Sequence, residues 1–359
     1  MVKCPTREGL QFVIKLIMRK NCRGAATVLT ALILVISAYG AVRKPKPLQI
    51  YFIDVEGGQA TLLVTPSKQS VLIDTGWAGS RDAERIAGAA QAAELKRIDY
   101  VLITHYHQDH VGGVADLQQR IPIGTFVDHG SDVEDSDNAR ALYKNYEKAI
   151  EHTKRVHLMP GEGLPLPGIT FEVIAAAGER ITEPLPGAGE ANFNCASESE
   201  AEPDPSENAQ SIGVLVSYGK FRFLDLGDLT KKKELELVCP NNLIGIVSLY
   251  LMTHHGIAAD NPKALVWALR PEVAISNNGG HKGGDPEAWQ MVHDSPGLVA
   301  LWQLHYAAAA GKNHNAADNF IANVDENSEG HYVKVDAEAD GNFSVNNSRI
   351  TFSQKYRSH

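Results

Sequence analysis

Four side chains able to bind a metal ion fall within six positions: His105, His107, Asp109 and His110, in Thr104-His-Tyr-His-Gln-Asp-His-Val-Gly-Gly113. His105 and His107 alternate as on an extended chain, so both imidazoles can converge on one cation. Asp109 and His110 follow where the chain turns, so they suit a second cation nearby. Imidazoles with one carboxylate match zinc, and manganese or iron accept the same donors. Two cations about 3.5–4 Å apart can activate a water and polarise a carbonyl or phosphoryl oxygen. The bland alternative is a His-rich surface loop, and this spacing directly after an apolar run argues against it.

The elements that must position these residues are legible around them. Val101–Ile103 reads as a buried strand feeding the motif. Upstream, Leu48–Val55, Ala60–Val64 and Ser70–Asp74 read as strands joined by tight turns, and Arg81–Leu95 as an Ala-rich helix. Ligands at the carboxyl end of a strand that follows a helix stand where α/β folds place their sites. Asn138–Thr153 reads as a helix, and Val156–Pro160 and Ile169–Ala175 as strands. Ser211–Ser217 and Phe221–Asp225 form a hairpin pattern ending in Leu226-Gly-Asp228. Ile246–Met252 then leads into Thr253-His-His-Gly256, repeating the order of apolar strand, Thr and His seen at Thr104-His105. After a strand at Pro271–Ser276 comes the Gly-rich loop Asn277–Gly284, which reads as an ordinary polar turn in preference to one from which His281 and Lys282 reach a substrate. A helix follows to Val292, and a final hairpin lies between His331 and Phe352. His293, His305, His314 and His331 show no ligand spacing and read as surface residues.

Composition narrows the partners. The 359 residues carry a net charge of −9, but residues 1–41 hold six Lys/Arg against one Asp/Glu, which leaves −14 on the remainder. A chain so acidic is not built to bind polyanions in general. Lys15, Arg19, Lys20 and Arg23 precede the apolar run Ala25–Ala38, followed by Gly40, so residues 1–41 read as a signal peptide or, uncleaved, a membrane anchor. The segment near 179–207, rich in Pro, Glu, Ala and Ser, reads as a disordered acidic insertion. Cys195 and Cys239 read as structural or free thiols, or as a pair.

His105-x-His107-x-Asp109-His110 at a strand end, with Leu72-Ile-Asp-Thr-Gly76 upstream, resembles the metallo-β-lactamase superfamily over roughly Leu48 to Asn278. Asp54-Val-Glu-Gly-Gly-Gln-Ala60 resembles the Asp-Val-Gly-Gln-Gly-Asp-Ala segment of the ComEC-like branch, the hydrolase domain of competence proteins, with Glu56 and Gln59 departing. The resemblance implies an α/β four-layer αββα sandwich over residues 48–357. It implies a metal set of His105, His107, Asp109, His110, Asp228 and His254 for two zinc ions, with manganese or iron as substitutes. In this set Asp228 bridges both metals, with Asp225 as its competitor. His254 is the last ligand of the second metal, and His255 lies behind it or faces substrate. Asp74 sits under the metal loop as an acceptor. Members with a full dinuclear site add a third His to the first metal, between the first motif and the bridging Asp. This chain has none between His157 and His254, and Asn208 and Ser211 stand there instead.

The function so implied is that of an exported metal-dependent hydrolase. A metal-bound hydroxide, held by the catalytic Asp109 and Asp228, attacks a phosphodiester or related ester, and His255 or a loop residue protonates the leaving group. Lactone or carboxylic-ester hydrolysis on the same fold, and a non-catalytic metal-binding protein, stay open as alternatives. The expected partner is a small-molecule or phosphodiester substrate. The acidic charge disfavours nucleic acid, and membrane contact runs only through an uncleaved leader.

Overall fold

The computed structural model describes residues 46–199, 202–325 and 329–359. The expected leader at 1–41 lies outside the described residues. Six strands open the chain: β1 (Leu48–Phe52), β2 (Thr61–Val64), β3 (Ser70–Ile73), β4 (Ile98–Leu102), β5 (Ile123–Asp128) and β6 (Lys154–His157). Eight more form a second sheet: β7 (Thr170–Ala176), β8 (Glu179–Arg180), β9 (Gly213–Tyr218), β10 (Phe221–Asp225), β11 (Leu249–Leu251), β12 (Val273–Ser276), β13 (Ala300–His305) and β14 (Ile321–Asn323). The last three, β15 (Val333–Ala337), β16 (Asn342–Asn347) and β17 (Phe352–Arg357), return to the first sheet beside β1. The sheet orders are β17-β16-β15-β1-β2-β3-β4-β5-β6 and β14-β13-β12-β11-β10-β9-β7-β8.

Side-chain alternation builds the layers. On β1, Ile50 and Phe52 point to the core between the sheets, and Tyr51 points to the helices outside. Phe52 meets Phe223 of β10 edge-on at 5.6 Å, tying sheet to sheet. Outside the first sheet, the helix Ser80–Ala92 buries Ala83, Ile86, Ala89 and Ala90 against Leu62, Leu72 and Val101. Outside the second, Leu237, Leu265, Leu269 and Val292 of three helices cover Leu224, Tyr250 and Ala274. This is the expected αββα sandwich. In each sheet an antiparallel run becomes parallel, at β3–β4 and β10–β11, so four strand ends open on one side. There the chain places Asp74, Thr104, Asp225 and Thr253.

Two expectations are corrected. The segment 179–207 is not uniformly disordered: β8, short 3-10 turns at Phe193–Ser197 and Asn208–Gln210, and a Cys195–Cys239 disulfide organise its surroundings. Ile181 and Leu185 anchor it in the helix-side core, which composition alone does not reveal. His305 is not a surface residue. It lies on β13, 2% exposed, with Nε2 2.7 Å from Asp54 Oδ1.

Candidate metal centre

Asp74 follows β3 with φ 61°, a left-handed turn that aims its carboxylate across at the end of β4. The Thr104 N–H donates to Oδ1 (2.8 Å), and the Thr104 hydroxyl donates to Oδ2 (2.7 Å). His110 Nδ1 donates to the same Oδ2 at 2.7 Å, which fixes the ring so that Nε2 faces the opposite sheet. Burial opposes a charge on His110, but the carboxylates of Asp228, Asp74 and Asp109 outweigh it and hold the ring well above the usual imidazole range.

The second sheet contributes Asp228 and the Thr253-His-His-Gly turn. His254 and His255 both adopt left-handed φ, 54° and 57°, and Gly256 follows at 76°. Non-glycine residues rarely hold that conformation, and two in succession mark a turn imposed by its surroundings. Its effect is to send both imidazoles toward one carboxylate. His254 Nε2 and His255 Nε2 each stand 3.3 Å from Asp228 Oδ2, and His110 Nε2 stands 3.2 Å from it. His255 Nε2 also reaches Asp109 Oδ2 at 3.2 Å.

Four of these residues, Asp109, His110, Asp228 and His255, place ligand atoms within 4.8 Å of one another, all buried. His255, and not His254, stands in this four-residue group. The physical reason is the turn, which carries the second histidine inward and leaves His254 at the rim, its side chain 19% exposed against 0% for His255. His254 is held from behind, Nδ1 donating to Asp260 at 2.7 Å. Burial works against its charge, but the bond to Asp260 and the Asp228 charge raise its pKa. Asp225 stays below the cluster, accepting from Gln59 Nε2 (3.0 Å) and the Gly227 N–H (3.0 Å), so it does not compete with Asp228.

His105 packs against His110, ring centroids 4.1 Å apart, with its Nε2 4.0 Å from Asp228 Oδ2. His107 sits outermost, its Nε2 3.2 Å from Glu134. The stretch 207–212 runs beside them: Glu207 accepts from the Tyr106 N–H (3.0 Å) and His129 Nε2 (2.7 Å), and the Ile212 N–H donates to the Thr104 carbonyl (2.9 Å). Asn208 and Ser211 thus lie in the stretch that pairs with Thr104 and Tyr106, where the expected third histidine is lacking.

The donor set fits divalent cations. His105 Nε2, Asp228 Oδ1, His255 Nδ1, Asn208 Oδ1 and Ser211 Oγ are buried without a hydrogen-bond partner. Orphaned buried donors and acceptors are costly unless something binds them. Residues 53–193 match the family model for the metallo-beta-lactamase superfamily. These residues form a metallo-beta-lactamase superfamily domain. It is 24% identical over 251 residues to ComE operon protein 3 of Bacillus subtilis, covering 64% of this chain and 28% of that one. It is 34% identical over 116 residues to a hydroxyacylglutathione hydrolase of Xanthomonas axonopodis pv. citri, covering 32% and 36%. The chain thus spans 28% of one relative's length and 36% of the other's. The solved metallo-beta-lactamase fold protein YhfI of Bacillus subtilis aligns with TM-score 0.43 and 12% identity over 72% of this chain and 95% of that one.

The family match ends at residue 193, and the second sheet brings Asp228 and His255 beside Asp109 and His110. Two glycines of the Glu56-Gly-Gly-Gln59 turn make the fit close. A Cβ on Gly58 would lie 2.3 Å from the Asp109 carbonyl oxygen, and one on Gly57 2.9 Å from Lys282 Cβ. Lys282 is the residue the sequence underrated. Its ammonium bonds Asp109 Oδ2 and lies 5.1 Å from the Trp77 ring centroid. A lysine in a Gly-rich loop next to His281 is the only sequence signal that pointed there.

Proposed function

We propose that this superfamily hydrolase cleaves a phosphodiester or related ester, with two divalent cations, zinc foremost. The convergence of Asp109, His110, Asp228 and His255 within 4.8 Å carries the reading. These four would hold one cation. His105, His107 and the shared Asp228 would hold the other, with Asn208 and Ser211 beside its open side. The cations would supply an activated water and charge stabilisation at the scissile centre.

The chain's own groups do the rest. Asp74 holds His110 in the tautomer that presents Nε2. Asp109 and Asp228 would help hold the cations and orient that water. His254, fixed at Nδ1 by Asp260 and with Nε2 beside Asp228 Oδ2 at the rim, would hand a proton to the leaving group, the task the sequence reading gave His255. The walls behind these groups are dry: Thr104, Met252 and Ser276 are buried. Residues 1–41 act as an export leader, a reading supported by the Cys195–Cys239 disulfide, since such bonds persist in oxidising compartments.

Hydrolysis of an acyl ester is the second reading, favoured by the hydroxyacylglutathione hydrolase relative. Metal content of the purified protein, with turnover of bis-p-nitrophenyl phosphate and p-nitrophenyl acetate by wild type and Asp228→Ala, separates them. Near two metals per chain and phosphodiester turnover lost in the variant support the proposal. Esterase activity alone moves the substrate to acyl esters. A metal-free, inactive wild type overturns both and leaves a non-catalytic protein.

A further inference from the structure

Lys282 stands at the mouth of the cluster with its ammonium on Asp109 Oδ2, the oxygen that lies 3.2 Å from His255 Nε2 and 3.5 Å from His110 Nε2. The protein's own cation therefore occupies a donor oxygen of the metal centre. The backbone beneath it is held firmly. The Gly279 N–H donates to the Lys282 carbonyl at 2.8 Å, closing the loop on itself, and the Gly284 N–H donates to the His255 carbonyl at 2.9 Å. Gly57 abuts Lys282 Cβ from the other side. The side chain is 38% exposed, with Trp77 beside it, so it can swing outward along the aromatic face while its Cα stays in place.

We propose that Lys282 exchanges partners: it neutralises Asp109 before metal arrives, and afterwards binds the anionic oxygen of the substrate. A divalent cation on Asp109 repels the ammonium and leaves it a point charge within reach of the scissile centre. Lys282 is then a specificity-determining residue that favours a substrate charged at the reacting group, a phosphodiester, over a neutral ester. This rests on the hydrolase reading above and names its substrate class from an independent contact.

The test uses the full chain as wild type, Lys282→Met and Lys282→Arg, with thermal melts to establish that each is folded. Calorimetric titration of Co2+ into metal-stripped protein should show Lys282→Met binding at least tenfold tighter, since the competing cation is gone, and Lys282→Arg within threefold of wild type. Inorganic phosphate titrated into the cobalt-loaded proteins should lose at least tenfold in affinity in Lys282→Met only. Where turnover is present, KM for bis-p-nitrophenyl phosphate should rise in Lys282→Met while KM for p-nitrophenyl acetate holds. Unchanged cobalt affinity or unchanged phosphate affinity in Lys282→Met overturns the exchange. A wild type that turns over neither substrate overturns the hydrolase reading, while the two binding titrations still decide the role of Lys282.

Discussion

His110 and Asp74 are joined by a 2.7 Å hydrogen bond from Nδ1 to Oδ2, and the same carboxylate takes the hydroxyl and the N–H of Thr104. One side chain at the end of β3 thus orients a candidate ligand, His110, and sets the path of the chain that enters the His105–His110 loop. Asp74→Asn keeps the size but presents an NH2 to one of three donors. Metal affinity should fall about 10- to 100-fold, the usual cost of losing such a partner, read by competition with a chromogenic chelator.

The two adjacent histidines should separate cleanly. His255→Asn removes a buried member of the four-residue cluster and should strip metal from the purified protein. His254→Asn should retain metal yet lose about 10²–10⁴-fold in kcat, the range for a lost proton donor. Elemental analysis beside kinetics gives the answer, and metal loss in both variants would make His254 a ligand too.

Two glycines should respond in opposite directions. Gly58→Ala drives a methyl into the Asp109 carbonyl, where both partners are backbone and neither can turn aside. A loss of about 1–3 kcal/mol is expected, along with weaker metal binding. Gly88→Ala, on the exposed face of the helix Ser80–Ala92 with open space around it, should gain about 0.5–1 kcal/mol. Urea unfolding of both variants measures the difference.

Asp225 carries a pH signature. Burial, helped by the nearby Asp74 charge, raises its carboxyl from 3.8 to about 7, against the opposing pull of Gly227 and Gln59. Between about pH 4 and 7 the folded chain keeps a proton that the unfolded chain has released. Its contribution to stability is therefore complete below about pH 4, is lost as pH rises to about 7, and stays lost above. Asp225→Asn should flatten the stability profile of the metal-stripped protein across that window, by on the order of 2–4 kcal/mol. Chemical unfolding at pH 5 and pH 8 shows it, and parallel profiles for wild type and variant would rule the effect out.

The disulfide joins Cys195 to Cys239 over 44 residues, holding the Phe193–Ser197 turn against the end of the helix Lys231–Val238. Cys195→Ser should lower stability by about 2–4 kcal/mol, and reductant should affect wild type but not the variant. Denaturation with and without dithiothreitol is the measurement.

What could be read in advance was whatever depends on near neighbours. His105, His107, Asp109 and His110 lie within one strand end and one turn, so their convergence follows from spacing. Asp74 beneath them follows from its place at a strand end beside β4. The order of His254 and His255 was not legible, because it turns on two successive left-handed residues whose conformation is imposed by Gly227 and the Gly279–Gly284 loop. His305 looked idle because its partner, Asp54, is remote in the chain, and neither periodicity nor charge reports such a pairing. Lys282 was undervalued for the same reason: its meeting with Asp109 depends on how closely Gly57 packs.

Strand β1 has further significance. One edge pairs with β2 a few residues on, and the other waits for β15, which begins only at Val333. During synthesis the first sheet stays open along that edge until Val333–Ala337 has emerged. Such a late closing contact slows folding and keeps the nascent polypeptide threadable. The parts of the centre, from Asp74 to Lys282, are all synthesised before the strand that closes this edge.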